Sequence, residues 1–260
     1  MTLEIISRKA NQERKAPPLL FVHGAYTAAW CWENFLPWFA RRGYDAHAVS
    51  LRGHGASPVP GSLDFASVDD YVADVLEAAG GLGEPPVLIG HSMGAIVVQR
   101  AALRARAPAM ALLAPVPPHG LTGSAFTLAA RDPPLFLALN TMQLANGGAK
   151  PDLIRVRDYL FSQTVTEADA RRHLMRMQRE SSRALADLAW PQHFWIAPSR
   201  GVRTLVIGAG RDAFFPPPMI EETARFHGVT PVMFEDMAHA LMLEPGWRRV
   251  AEAVKAWLET

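Results

Sequence analysis

The sequence predicts an α/β fold, a mainly parallel sheet flanked by helices and interrupted by one helical insertion. Short apolar runs alternate with longer segments of helical pattern, as parallel strands joined through crossover helices require. That alternation stops between residues 115 and 198, where only helical patterns separated by Pro and Gly occur, and then resumes. With 260 residues, 49% hydrophobic and 20% charged, the chain has enough apolar material for one large core.

Taken in order, residues 3–7 and 19–22 read as strands, the second ending at His23-Gly24. A helical pattern over 32–42 stops at Gly43, a residue suited to ending helices. Residues 44–51 form the next strand, followed by the loop Arg52-Gly53-His54-Gly55, and a helix over 67–79 stops at Gly80-Gly81. Strand 87–89, helix 93–104 and strand 110–114 follow. In the insertion, Thr166 before Glu167 and Asp169 marks a helix start, while Leu174, Met177, Leu185 and Leu188 mark one amphipathic face. Strands return at 204–207 and 231–234, and a helix over 247–258 closes the chain. Residues 1–114 and 199–260 thus make the α/β core, and 115–198 the insertion.

Charge narrows the function. The formal net charge of +1 argues against a nucleic-acid partner, because neutralising phosphates needs a basic excess. Arg172, Arg176, Arg179 and Arg183 fall at helical spacing, but Glu167, Asp169, Glu180 and Asp187 lie among them, so they read as a solvated helix face. Cys31 is the single cysteine, which rules out an intramolecular disulfide; between Trp30 and Trp32 it is expected to be a small buried side chain. The first fifteen residues lack an apolar stretch of secretory length, and the longest greasy run of the middle, 135–139, is too short to span a bilayer. A soluble, cytoplasmic protein without a membrane span is expected, its oligomeric state left open.

The chemistry starts at Gly90-His91-Ser92-Met93-Gly94, a G-x-S-x-G between a strand and a helix. In a turn that tight, bulky side chains two positions from the serine are excluded. The hydroxyl is lifted above the carboxyl edge of the sheet, and the amides opening the helix face the same place. The alternative is a serine that only caps the helix. A serine hydroxyl is a poor nucleophile alone, so a base and an orienting carboxylate should exist. Of nine histidines, His239 follows the final strand; Asp212 lies just past the strand 204–207, where a turn aspartate is the competing explanation.

The order Ser92, Asp212, His239, each after a strand, resembles the α/β-hydrolase superfamily, and the likeness covers nearly the whole chain. Supporting motifs are His23-Gly24, Leu51-Arg52-Gly53-His54-Gly55-Ala56-Ser57, Gly210-Arg211-Asp212 with Pro216-Pro217, and Ala238-His239. The resemblance implies an α/β-hydrolase fold whose insertion is a helical cap, and a Ser-His-Asp triad. The backbone N–H groups of Ala25 and Met93 would form the oxyanion hole, with no metal and no organic cofactor. Ser50 departs from the family pattern, where an aspartate often precedes Leu-Arg-Gly; loop packing rather than chemistry is expected to change.

The activity so implied is hydrolysis of a small, largely apolar ester through an acyl-enzyme, with Tyr26, Phe136, Met142 and Phe214 as pocket residues. His23 is expected to be structural. Epoxide hydrolases and haloalkane dehalogenases of the superfamily carry a carboxylate nucleophile where Ser92 stands, and hydroxynitrile lyases a lysine where Ala240 stands, which disfavours these activities. Carbon–carbon bond hydrolases, lactonases, amidases and perhydrolases keep the same three residues, and some receptors retain the triad without turnover.

Overall fold

The computed structural model describes residues 2–134, 136–137, 153–198 and 201–260. Seven strands form one sheet: β1 (Ile5–Arg8), β2 (Lys15–Val22), β3 (Tyr44–Val49), β4 (Val87–His91), β5 (Ala109–Leu113), β6 (Arg203–Ala209) and β7 (Val232–Phe234). They lie in the order β1-β3-β2-β4-β5-β6-β7, with β1 antiparallel to β3 and the other pairs parallel. The central strands are buried on both faces, which explains why they read as continuous apolar runs.

Strand alternation builds two cores. Leu19 and Phe21 of β2 point to the layer holding α1 (Phe35–Ala40) and the closing helix of residues 247–258. There Phe21 meets Trp32 at 5.0 Å and Phe39 at 5.7 Å between ring centroids. Leu20 and Val22 point to the other layer, against Tyr71 of α2 (Val68–Gly80) and Ile96 of α3 (Met93–Ala101). Alpha-helix α2 starts where Ser67 and Asp70 satisfy each other's backbone N–H groups in a capping box.

The chain runs outward from β2 to β3, then returns to place β4 on the other side of β2. At this reversal the sheet opens a crevice beyond its strand ends, where ligands of open α/β sheets bind. Pairing of Val22 with Gly90 sets the residues after β2 beside those after β4. The sequence thereby brings residues 23–26 and 92–93 together.

Between β5 and β6 the described residues contain no strand, as expected. They contain α4 (Thr122–Arg131), α5 (Leu153–Leu160), α6 (Glu167–Leu174) and α7 (Ser182–Ala189). Thr166 caps α6, accepting from the Asp169 N–H. After β6 come α8 (Pro217–His227), which ends at Gly228 with φ 70°, and α9 (Trp247–Leu258). None of the described helices is long and apolar enough to cross a membrane.

Two expectations fail. The arginines from 172 to 183 do not share a solvated helix face, nor do Leu174, Met177, Leu185 and Leu188 share one helix, because α6 stops at Leu174 and α7 starts at Ser182. The intervening residues use their polar groups on the core instead of on a helix. Gln178 donates its side-chain amide to the Gly53 carbonyl at 2.8 Å and accepts from the Gly55 N–H at 2.9 Å. Arg176 pairs with Glu33 and Arg179 with Asp64. Glu180 is wholly buried.

Candidate active site

Ser92 sits at φ 53°, ψ −118°, a conformation that L-residues rarely adopt. Its N–H donates to the Leu113 carbonyl at 3.0 Å, and the Ala95 N–H donates to its own carbonyl at 3.0 Å. The glycines two positions away are obligatory. A Cβ on Gly90 would strike the Gly94 carbonyl, and one on Gly94 would lie 2.6 Å from the Val22 carbonyl oxygen and also collide with that of His23. The Ser92 hydroxyl makes no capping bond to α3, so helix capping does not explain the serine.

His239 and Asp212 meet as expected. The Nδ1–H of His239 donates to Asp212 Oδ2 at 2.7 Å, while Asp212 Oδ1 accepts from the Phe214 and Phe215 N–H groups at 2.8 and 2.9 Å. The rings of Phe214 and Phe215 flank the imidazole of His239 edge-on, with centroids at 5.1 and 5.3 Å. Ser92 and His239 line the same cavity. No hydrogen bond joins them among the described residues.

Ala25 and Met93 also line this cavity. Met93 opens α3, so its N–H has no partner within the helix. The Ala25 N–H shares a peptide plane with the Gly24 carbonyl, and that carbonyl accepts from His23 Nδ1–H at 2.8 Å and from the Thr27 hydroxyl at 3.0 Å. Because C=O and N–H of one peptide point opposite ways, pinning the carbonyl aims the donor. His23 is therefore structural, as expected: Nε2 accepts from the Leu51 N–H at 3.0 Å, and burial lowers its pKa to about 3.

The cavity holds about 260 Å3, near the lower end of the range of roughly 300–1,000 Å3 for small-molecule sites. Its lining is mostly apolar and, among the described residues, contains no Asp, Glu, Lys or Arg. Tyr26, Phe136 and Phe214 line it; Met142 lies outside the described residues. Cys31 also borders the cavity, and burial pushes its thiol pKa up, away from reactivity. Ser50 serves loop packing, its hydroxyl donating to Glu4 at 2.5 Å and accepting from the Ala29 N–H at 3.0 Å.

Two supporting residues escaped the sequence reading. His91, the variable position of the turn, donates Nε2–H to the His239 carbonyl at 3.0 Å, which links the serine turn to the histidine loop. Glu244, also buried, accepts from the Ser162 N–H and hydroxyl, both at 2.6 Å, and from the Ala238 N–H at 3.3 Å. It ties the insertion to the residue preceding His239. Its position five residues after His239 was the one available signal, and a lone glutamate there says nothing of burial.

A family model described as the alpha/beta hydrolase family matches residues 19–253. Epoxide hydrolase A of Mycobacterium tuberculosis is 33% identical over 92 residues, 35% of this chain and 29% of that protein. A probable esterase of Oryza sativa subsp. indica is 34% identical over 79 residues, 30% of each chain. A non-heme chloroperoxidase of Streptomyces lividans is 36% identical over 109 residues, 40% of this chain and 39% of that protein. The matched segments thus span about a third of these relatives. Among solved structures, a thermophilic esterase from Thermogutta terrifontis superposes with a TM-score of 0.78 at 20% identity, covering 99% of this chain and 93% of its own. An esterase from Exiguobacterium antarcticum gives 0.77 at 16% identity, with 99% and 96% covered.

Proposed function

Because the chain belongs to the alpha/beta hydrolase family, we propose that it is a serine hydrolase cleaving small, uncharged, largely apolar carboxylic esters through an acyl-enzyme. The observation that carries this reading is the strained Ser92 turn, opening into the same apolar cavity as a histidine already oriented by a buried aspartate.

In the proposed reaction, His239 Nε2 takes the Ser92 proton as Oγ attacks the ester carbonyl carbon. The negative charge on the carbonyl oxygen is met by the Ala25 and Met93 N–H groups, and losing one such donor typically lowers the rate about 10²- to 10³-fold. Asp212 stabilises the imidazolium. The C–O bond breaks as His239 returns the proton to the leaving alkoxide, which departs as the alcohol. Water, deprotonated by the same imidazole, then releases the acid and restores Ser92. The insertion acts as the cap, contributing Val156, Leu160, Phe161, Met177, Leu185 and Leu188 to the cavity.

A lining without Asp, Glu, Lys or Arg among the described residues favours a neutral substrate, since an anion there would lose its hydration without a counter-charge. Each substrate methylene buried in the cavity contributes about 0.8 kcal/mol, or roughly fourfold in kcat/KM. Across p-nitrophenyl acetate, butyrate and hexanoate, kcat/KM is expected to rise at about that pace until the cavity is full. Ser92→Ala should abolish both turnover and labelling by a fluorophosphonate; undiminished labelling in that variant removes Ser92 from the mechanism. Tight small-molecule binding without turnover of any carbonyl compound would instead favour a receptor.

A further inference from the structure

The residue after the proposed oxyanion donor Ala25 is Tyr26, which is held at φ 65°, in the left-handed region unfavourable to side chains larger than glycine. Both of its backbone polar groups are gripped by the insertion. Its carbonyl accepts from the Gln178 N–H at 3.0 Å, and its N–H donates to Glu180 Oε2 at 3.4 Å. Glu180 is wholly buried and anchored by the core around it. Its Oε1 accepts from the Tyr71 hydroxyl at 2.5 Å and from the Ser181 N–H at 2.6 Å, and His54 Nε2 lies 3.2 Å from Oε2. Ala25 is therefore suspended between two fixed peptides. The one before it is pinned through Gly24 by His23 and Thr27, and the one after it by Glu180.

We propose that Glu180 is a positioning residue for catalysis: a buried carboxylate of the cap that holds the strained Tyr26 and thereby aims the Ala25 N–H at the substrate oxyanion. This rests on the serine-hydrolase reading above. It gives the cap a role beyond enclosing substrate, since Gln178 and Glu180 complete the loop that stabilises the transition state. Any opening of the cap that lifted this segment would leave Tyr26 without its restraints and the oxyanion hole unset.

Charge and geometry make Glu180→Gln a sharp probe. The amide keeps the volume and can still accept the Tyr71 and Ser181 bonds through one oxygen, but it then presents an NH2 group to the Tyr26 N–H, donor against donor. Per active site titrated with a fluorophosphonate, kcat on p-nitrophenyl butyrate is expected to fall about 10- to 100-fold, less than complete loss of an oxyanion donor. KM should stay within about twofold, as befits an interaction made in the transition state alone. The inhibition constant of an apolar trifluoromethyl ketone, whose tetrahedral adduct presents an oxyanion, should rise by the same factor as kcat falls.

Arg179→Ala, which severs the neighbouring pair with Asp64, serves as the control for a loosened cap and should keep kcat per titrated site. Unchanged kcat and ketone affinity in folded Glu180→Gln would overturn the proposal, as would an equal loss in Arg179→Ala. If Glu180→Gln does not fold, Glu180→Asp, which keeps the charge for His54 but withdraws from Tyr26, is read by the same criteria. A wild-type protein that hydrolyses no ester and takes no fluorophosphonate would instead refute the hydrolase reading itself.

Discussion

Asp212 divides its two oxygens between two tasks: Oδ2 receives the His239 Nδ1–H, and Oδ1 receives the two N–H groups of the turn that carries Phe214 and Phe215. The division predicts a separable defect. In Asp212→Asn the side-chain oxygen can keep the turn, but the amide NH2 faces Nδ1 and favours the tautomer with its proton on Nε2, which cannot accept from Ser92. Turnover is expected to fall about 10⁴-fold, the scale of the corresponding change in serine proteases, while the thermal unfolding midpoint stays near wild type. Parallel steady-state kinetics and melting curves check both halves. Ser92, Asp212 and His239 could be nominated from the sequence as the proposed triad because each follows a strand and each is a residue type that the proposed chemistry demands. His91, Glu180 and Glu244 were not, because their importance lies in which distant backbone groups they reach. Charge alternation even suggested solvent for Glu180.

The serine turn is as much a property of its two elements as of the serine itself. Helix α3 can approach β2 only because position 94 has no Cβ, the Val22 carbonyl oxygen being 2.6 Å from where one would stand. Gly94→Ala must push α3 off the sheet or distort the turn, and overpacking of this kind typically destabilises by about 1–3 kcal/mol. A lower denaturant midpoint, together with fluorophosphonate labelling slowed by at least tenfold, is the expected result; wild-type stability and labelling would show that the contact is not tight. Elements with strong punctuation could be placed from sequence alone. The closing helix was expected over 247–258 and is found at Trp247–Leu258, and Thr166 caps α6 as its acidic neighbours suggested. The stretch from 175 to 181 was misread for a physical reason. Its spacing is helical, but its amide group finds partners on the loop at Gly53 and Gly55 and its carboxylate finds the Tyr71 hydroxyl of α2, better partners than a solvated helix would offer.

Over the whole molecule, the histidines determine how the fold tolerates acid. Burial keeps His23 neutral, with a pKa lowered to about 3; it lowers His91 well below the ordinary 6.5, helped by His239 nearby; and it lowers His227 to about 4. The unfolded chain binds protons at these residues once the pH falls below about 6.5, and the folded chain does not. Each depressed histidine therefore contributes stability that is complete above that pH and declines by about 1.4 kcal/mol per pH unit below it, until its folded pKa is reached. His54 works the other way. Burial opposes its charge, but Glu180 overcomes that and raises its pKa, so its contribution is complete below about 6.5 and fades as the pH climbs through the raised value. Burial likewise resists ionisation of Glu180, but His54, Tyr71 and the Ser181 N–H leave its pKa lowered, so its share persists above its ordinary 4.5 and is lost only at lower pH. Burial also lowers His47 and His173, so five histidines stand against one, and unfolding midpoints should drop steadily between pH 6.5 and 4.5. His227, whose Nε2–H donates to Gln99 Oε1 at 2.8 Å, lies outside the candidate site and isolates one of these contributions. His227→Gln cannot titrate, so its plot of unfolding free energy against pH should be flatter than wild type over that window and parallel to it above pH 7. Equal slopes below pH 6.5 would mean that His227 is already protonated in the folded protein.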